Sequence, residues 1–287
     1  MADRDSKTFL ITGASTGIGR ASALWLDRRG HRVFAGVRKQ ADAESLSGAA
    51  SERLTTLFID VTDEAGIAAA GATVREAQGE DGLDGLVNNA GVAVPGPLEY
   101  VESADLRMQF EVNVIGQMAV TRQFLPMIRQ AKGRIVFIGS IAGRMAVPFL
   151  GPYAASKHAL EAITDSLRVE LQPWGIQVAI VEPGSIATPI WDKGEATAEE
   201  MVKHMNEEAH ALYDDAVQAL RNTAKEMSEA GIPASRVAKV IEHALVARRP
   251  KTRYVVGRDA RIQAILRTVV PDRIRDRFVS RMMKLPR

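Results

Sequence analysis

The chain has 287 residues, 46% of them apolar and 25% charged, with a formal net charge of +2 and no cysteine. That length and balance suit a globular α/β protein with a full core, and so mild a charge gives no reason to expect a nucleic-acid partner. The absence of cysteine excludes disulfides, thiolate metal sites and a cysteine nucleophile. Met1 to Lys7 carry charge and lack the apolar core of a signal peptide, and no apolar run approaches the roughly 18 residues of a membrane span, so the expected compartment is cytoplasmic.

Thr8 to Thr12 predicts a short apolar strand, followed at once by Gly13-Ala-Ser-Thr-Gly17-Ile-Gly19 and a helical pattern carrying Ala21, Leu24 and Trp25 toward Gly30. Strand, glycine turn and helix in that order make a dinucleotide-binding context. Gly13 allows the tight turn, Gly17 lets backbone approach a pyrophosphate, and Gly19 lets helix pack on strand, while exposed amides and the helix dipole hold the anion. Ser15, Thr16 and Ile18 fall in the same loop and are expected at the cofactor. Arg32 to Val37 predicts the second strand, ending in Arg38-Lys39. An acid for the adenosine ribose is missing between Val33 and Lys39. Arg38 suits a 2′-phosphate instead, so NADP(H) is the expected cofactor, with NAD(H) second.

Leu57 to Val61 predicts a third strand, Asp63 to Ala77 a helix, and Gly85 to Gly91 the fourth strand and its exit. Ser103 to Gln130 has helical periodicity through Leu106, Phe110, Val114 and Met118, with Asn113 inside it and Pro126 a kink or a mark of its last turns. The apolar run Arg134 to Gly139 reads as a buried strand that sets Ser140 at its end. The helix through Tyr153 runs to about Leu171, and Gln177 to Glu182 is a sixth strand closed by Pro183-Gly184. Ser185 to Ala230 is a long, mostly helical insertion. Arg253 to Val256 supplies a last strand, Arg258 to Val270 a helix, and Pro271 opens a basic tail. Such alternation predicts a doubly wound parallel sheet covered on both faces, and no linker divides it, so 1–287 reads as one domain.

Tyr153 and Lys157 are four apart, which on a helix sets them on one face about one 5.4 Å turn apart. Pro152 suits a first helical turn. An ammonium near a phenol, and the positive end of a helix dipole, both favour the phenolate, so Tyr153 is expected to work as a base nearer neutrality. Ser140 at a parallel strand end lies where α/β proteins place chemistry.

Together, Thr12-Gly-x-x-x-Gly17-x-Gly19, Asp60-Val61, Asn88-Asn-Ala-Gly91, Asn113, Ser140, Tyr153-x-x-x-Lys157 and Pro183-Gly184 resemble the short-chain dehydrogenase/reductase family over Thr8 to about Arg261. The single-domain members are the better match, and the runs around Ser140 and from Tyr153 to Leu171 look most like the 17β-hydroxysteroid and retinol dehydrogenase branch. The resemblance implies a Rossmann-type sheet of about seven strands and hydride transfer between NAD(P) and an alcohol or carbonyl. It implies Tyr153 as acid/base, Ser140 on the substrate oxygen, Lys157 as tuner of Tyr153 and ligand of the nicotinamide ribose, and Asn113 holding a water that relays protons to Lys157. By the same resemblance Asp60 and Val61 meet the adenine and Asn89, Ala90 and Gly91 the adenosine ribose region. Pro183, Gly184, Ile186 and Thr188 meet the nicotinamide. A homodimer or homotetramer through the helices at Ser103 and Tyr153 is likewise implied.

The expected substrate pocket is walled by Val94, Met145, Val147 and Phe149, and by Ile186, Ile190, Trp191, Met201 and Met205 of the insertion. Apolar and methionine-rich, it suits a bulky apolar alcohol or ketone, steroid-like or retinoid-like. The alternatives are a long-chain 3-oxoacyl carbonyl reductase and a non-catalytic NADP-sensing regulator. His204, Glu207, Glu208 and His210 read as a solvated helix face, and no metal is expected because the two histidines diverge. From Arg248 onward Lys and Arg exceed Asp and Glu by about ten. Ile274, Phe278, Met282 and Leu285 recur there at helical spacing, flanked by Arg273, Arg277 and Lys284. Such a helix can lie on an anionic membrane, but packing on the protein's own lid or on a neighbouring subunit is the expectation.

Overall fold

A computed structural model describes residues 6–188, 199, 202–203, 205–229 and 231–282. Seven parallel strands form one sheet in the order β3-β2-β1-β4-β5-β6-β9. They are β1 (Thr8–Ile11), β2 (Arg32–Val37), β3 (Leu54–Phe58), β4 (Gly85–Asn88), β5 (Arg134–Ile138), β6 (Gln177–Pro183) and β9 (Arg253–Val256). β1 pairs in parallel with both β2 and β4, so the strand order reverses at its edge, and the crevice beyond those strand ends is where open α/β sheets bind ligands.

Alternation along the strands divides the core in two. Phe9 and Ile11 of β1 pack with Ala23 and Leu26 of α1 (Gly17–Arg28) and with Val237, Ile241 and Leu245 of α8 (Ala234–Val246). Leu10, between them, points the other way, into Phe124 and Ile128 of α5 (Gly116–Ala131) and Leu160 of α6 (Gly151–Glu170). Each fully buried Leu, Ile or Phe contributes about 1.5–3 kcal/mol, and the period-2 pattern commits those residues to opposite faces. Glu242 of α8 ties that helix to α1, accepting from Trp25 Nε1 at 2.7 Å and Arg29 Nε at 2.9 Å.

The third strand begins and ends three residues earlier than expected. Leu54 and Leu57 face the core, and the chain then turns at Asp60, whose Oδ1 accepts from Thr62 N at 3.0 Å and Thr62 Oγ1 at 2.7 Å. The predicted helix over Ser103 to Gln130 is interrupted: α4 (Ser103–Phe110) passes into a π-helical segment, Glu111–Ile115, before α5. There the Gly116 N–H reaches back five residues to the Glu111 carbonyl instead of four. Pro126 sits inside α5, which continues to Ala131. α2 (Gln40–Ser47) and α8 had not been expected, nor had the short parallel pairing of β7 (Ile186–Ala187) with β8 (Ile232–Pro233).

The insertion contributes α7 (Glu207–Glu229), and the chain closes with α9 (Arg258–Val269) and α10 (Asp272–Met282). Val279 of α10 is buried against Met145, with Val147 and Leu220 alongside, so one face of the tail does pack on the protein itself. Its other face does not, since Ile274 and Phe278 are exposed. No helix among the described residues is long and apolar enough to cross a membrane.

Candidate active site

The glycine loop is held by the exit of β4. Buried Thr12 accepts at Oγ1 from the Asn89 and Ala90 amides at 3.0 and 3.1 Å. Asn89 Nδ2 returns hydrogen bonds to the Thr12 and Gly13 carbonyls at 2.9 and 3.0 Å. Gly13 has φ +64°, and a Cβ there would fall 2.8 Å from Ala90 Cα; one at Gly19 would fall 2.3 Å from the Gly13 carbonyl oxygen. No side chain fits either position. Thr16 precedes α1 without capping it through its side chain, so the first-turn amides keep donors for an anion.

One cleft runs from this loop to the end of β5. Gly13, Ser15, Thr16, Gly17 and Ile18 line it, as do Arg38, Asp60, Val61, Asn89, Ala90 and Gly91. Ser140, Tyr153, Lys157, Pro183, Gly184 and Ile186 line it too, and Thr188 lies on it beside Gly17, whose Cβ would fall 3.3 Å from the Thr188 side chain. Of the residues expected at the cofactor, Gly19 alone is not on the wall; it lies beneath, where it lets α1 approach the loop. Gly36, Val37, Ile59, Val92, Val112, Ile138 and Gly139 also line the cleft and had not been singled out. Apart from Val112 of the π segment they lie at or just beyond strand ends, which motif spacing does not mark.

Arg38 Nη1 stands 3.8 Å from Asp60 Oδ2, both partly exposed. Burial alone would raise the Asp60 carboxyl, but the Thr62 amide and hydroxyl, then Arg38, outweigh it and hold Asp60 below the usual carboxylate range.

At the other end, Ser140 accepts at Oγ from the Ala142 amide at 3.1 Å, and Tyr153 stands in the first turn of α6 on the same wall of the cleft. Lys157, one turn on, donates from Nζ to the Ile138 carbonyl at 2.7 Å and lies 5.7 Å from the Tyr153 ring centre. Burial pushes the Tyr153 phenol up, with the Ser140 side chain opposing it in part, and pushes Lys157 down to about 8. This departs from the expectation of a phenol shifted toward phenolate. The ammonium is engaged by a backbone carbonyl, and desolvation dominates both groups.

Asn113 is fully buried in the π segment and is not on the cleft wall. Its Oδ1 accepts from the Val92 amide at 2.8 Å, and its Nδ2 donates to the Val92 carbonyl and to Ser156 Oγ, both at 3.0 Å. Both side-chain heteroatoms are thus engaged in tying the β4 exit to α6, so the side-chain amide is not what a relay water would meet. Asn113 is one of a row. Gln109 holds Val94 N and Val92 O at 2.8 and 2.9 Å, and Gln117 Nε2 donates to the Ala90 carbonyl at 2.7 Å. Steps of four drift by about 40° each around a regular α-helix, and a π segment between them turns the row back toward one line. The Gln109, Asn113 and Gln117 spacing was visible in the sequence; the segment that aligns it was not.

A buried charge cluster braces the same walls from behind. Glu182, wholly buried just before Pro183, pairs with Arg144 through Nε and Nη2, both at 2.7 Å. Arg253 lies 3.6 Å from Glu182, 3.1 Å from Glu161 and 2.5 Å from Asp165. Burial and the facing Glu182 push Glu161 up to about 7, against the pull of Arg253.

On the substrate side, Val94 is wholly buried with its amide on Gln109, so it is core and not pocket wall. Met145 packs on Val279 and also lines a second cavity. Val147 and Phe149 line the same cavity, between residues 144–151 and the C-terminal helices. Tyr213 of α7 closes over this region, its ring 6.2 Å from Phe149 and 5.8 Å from Tyr100, its hydroxyl donating to Glu99 at 2.8 Å. Met205 is partly buried. Ile190, Trp191, Met201 and His204 lie outside the described residues, as do Lys284 and Leu285 of the tail. His210 Nδ1 sits 2.9 Å from Asp214.

Residues 7–199 match the family model for short chain dehydrogenase. Retinol dehydrogenase 5 of Mus musculus is 38% identical over 96% of this chain and 88% of its own. 17-beta-hydroxysteroid dehydrogenase type 6 of Homo sapiens is 38% identical over 98% and 90%. An NADPH-dependent 3-dehydrocapnine reductase of Ornithobacterium rhinotracheale is 36% identical over 96% of both. Among solved structures, a short chain dehydrogenase from Burkholderia cenocepacia in complex with NADP superposes with a TM-score of 0.73 at 25% identity, covering 95% of this chain and 97% of its own. A relative from Burkholderia phymatum in complex with NAD gives 0.76 at 25% identity over 93% and 95%.

Proposed function

This chain belongs to the short-chain dehydrogenase family, NAD(P)-binding oxidoreductases acting on alcohol and carbonyl groups, and from that premise we propose that it interconverts a bulky apolar alcohol and ketone with NADP(H). One observation carries the reading: Ser140, Tyr153 and Lys157 meet at one end of the cleft whose other end is the glycine loop. The cradle fits a dinucleotide. Gly13 has no room for a Cβ, the first-turn amides of α1 are uncapped, and Arg38 stands at the β2 end where an adenosine 2′-phosphate would lie. Asp60 and Val61 would meet the adenine, Asn89 to Gly91 the ribose beside it, and Pro183 to Thr188 the nicotinamide. When bound there, NADP(H) supplies or accepts the hydride.

The chain's own work is proton transfer and orientation. Ser140 Oγ donates a hydrogen bond to the carbonyl oxygen. Tyr153 donates its phenolic proton to that oxygen as charge develops on it, and takes a proton back in the reverse direction. Its raised pKa keeps it protonated near neutrality, as a donor to a carbonyl oxygen must be. Lys157, titrating at about 8, is poised to return the proton, and Asn113 fixes α6 against the β4 exit so that these distances hold.

Met145, Val147 and Phe149, on the apolar side of a cavity whose other side carries Arg144, Arg267 and Arg275, support an apolar substrate, steroid-like or retinoid-like, as do the substrates named for the two dehydrogenase relatives. A panel of ketones assayed with NADPH and NADH tests this. Bulky apolar ketones are expected to give the highest kcat/KM, and Phe149→Ala to raise their KM in proportion to lost contact, at about 25 cal/mol per Å². Small polar carbonyls turning over far better than every bulky one would overturn the substrate assignment. The working unit proposed is one catalytic domain over 1–287, in the cytoplasm. Its assembly as a homo-oligomer is supported by exposed Leu106 and Met108 of α4 and Val169 of α6.

A further inference from the structure

The last two helices leave an apolar stripe uncovered. On α9, Ile262, Ile265 and Val269 recur at helical spacing and are all more than half exposed, the last at 69%. On α10, Ile274 and Phe278, four apart, are at least half exposed as well. Side chains this large are ordinarily turned inward when a helix has a protein face to offer them. Here that inward face is already occupied. Ala260 of α9 is wholly buried, Arg267 Nε donates to the Arg144 carbonyl at 3.1 Å, and Val279 of α10 packs on Met145. The two helices are therefore fixed to the body by one side, and the stripe is what they present to the outside.

Its rim is cationic. Arg258 and Arg261 on α9 and Arg273, Arg277 and Arg281 on α10 are exposed. Asp272 is paired with Arg275 at 2.6 Å, and Asp259 accepts from the Ser185 amide at 2.8 Å, which leaves exposed Asp276 as the one acid on these two helices with no hydrogen-bond or ion-pair partner among the described residues. We propose that the α9–α10 face is a peripheral docking surface for an anionic lipid bilayer, the apolar stripe entering the headgroup boundary and the arginines meeting lipid phosphates. Charge complementarity selects this occupant. A second copy meeting the same face across a two-fold axis would set arginine rim against arginine rim, whereas an anionic surface attracts each one. This replaces the expectation that the tail packs on the protein's own lid or on a neighbouring subunit: Val279 does pack on the body, but Ile274 and Phe278 do not. The docking surface stands on these residues whatever the substrate is. Given the proposed apolar substrate, it has a consequence, because α10 also walls the cavity lined by Val147 and Phe149, so docking would bring that cavity to the bilayer that stores such molecules.

Co-sedimentation of the full chain, saturated with NADPH, tests the surface. Vesicles of phosphatidylcholine alone are compared with vesicles containing phosphatidylglycerol, at low and high salt. At least roughly tenfold more protein is expected to pellet with the anionic vesicles, falling as salt rises. Arg273→Glu with Arg277→Glu, or Ile265→Asp with Phe278→Asp, should abolish the difference, whereas Arg28→Glu, on an exposed site in the last turn of α1, should not. Ketone reduction in detergent-free buffer should be unchanged in all of them. Equal pelleting with both lipids, or variants that pellet like wild type, would overturn the proposal. So would variants that instead convert a larger species to a smaller one on gel filtration without any lipid binding, which would make the face a contact between copies. If a variant fails to fold, hydrogen exchange on the wild type decides: residues 258–282 must gain protection on anionic vesicles, and unchanged exchange there would equally overturn the proposal.

Discussion

Tyr153→Phe is expected to lower kcat about 10²–10⁴-fold while NADPH affinity, read from nucleotide fluorescence, stays within about twofold of wild type. The reason is local. The phenol lines the cleft beside Ser140 and lies within a helical turn of Lys157, and burial keeps its proton in place near neutrality. Phenylalanine keeps the ring and its packing on Ala142 and Ala154, so the fold and the cradle of the dinucleotide are preserved. Only the exchangeable proton is lost. Wild-type-like turnover would show that another donor serves the carbonyl oxygen, and loss of NADPH binding in parallel would show that Tyr153 acts through the cofactor's position.

Arg38→Asp should reverse the cofactor preference. In the wild type, Arg38 is a partly exposed guanidinium at the cleft wall, held only loosely by Asp60 at 3.8 Å, and is therefore free to turn toward a phosphate. A hydrogen bond to a charged group is worth about 1.5–3 kcal/mol, so its loss should lower kcat/KM for NADPH by roughly 10–100-fold. The aspartate would add a like-charge clash with the 2′-phosphate and an acceptor for the free 2′-hydroxyl of NADH. The ratio of kcat/KM for the two cofactors, measured on one ketone in both proteins, checks it. A wild type that prefers NADH, or a ratio that the substitution leaves in place, contradicts the role given to Arg38.

What could be read from the sequence was local chemistry at strand ends. Gly13 and Gly19 share one glycine turn and Tyr153 and Lys157 one turn of helix, so their spacing could be read locally, although the contact that requires Gly13, with Ala90, comes from the distant β4 exit. The sheet followed from apolar runs, with β3 misplaced because Ile59 and Val61 look strand-like although Asp60 turns the chain. The π segment at Glu111–Ile115 escaped because the apolar periodicity of Ser103 to Gln130 is that of a plain helix. The amide row of Gln109, Asn113 and Gln117 and the Arg144–Glu182–Arg253 cluster escaped for another reason: their partners are distant in the chain, and no local pattern announces a buried ion pair. The apolar face of α10 was legible as a stripe, but which of its residues the body would cover was not.

The central claim is that this cleft transfers hydride to a bulky apolar carbonyl, and isotope transfer tests it most directly. Wild-type protein is mixed with a steroid-like ketone and NADPH deuterated at the transferable position of the nicotinamide, and the product is analysed by mass spectrometry. The account predicts an alcohol one deuterium heavier, with the label on the carbinol carbon, formed by wild type and not by Tyr153→Phe. NADPH that binds but passes no deuterium to any ketone in the panel would contradict it, and would leave a nucleotide sensor in place of an enzyme.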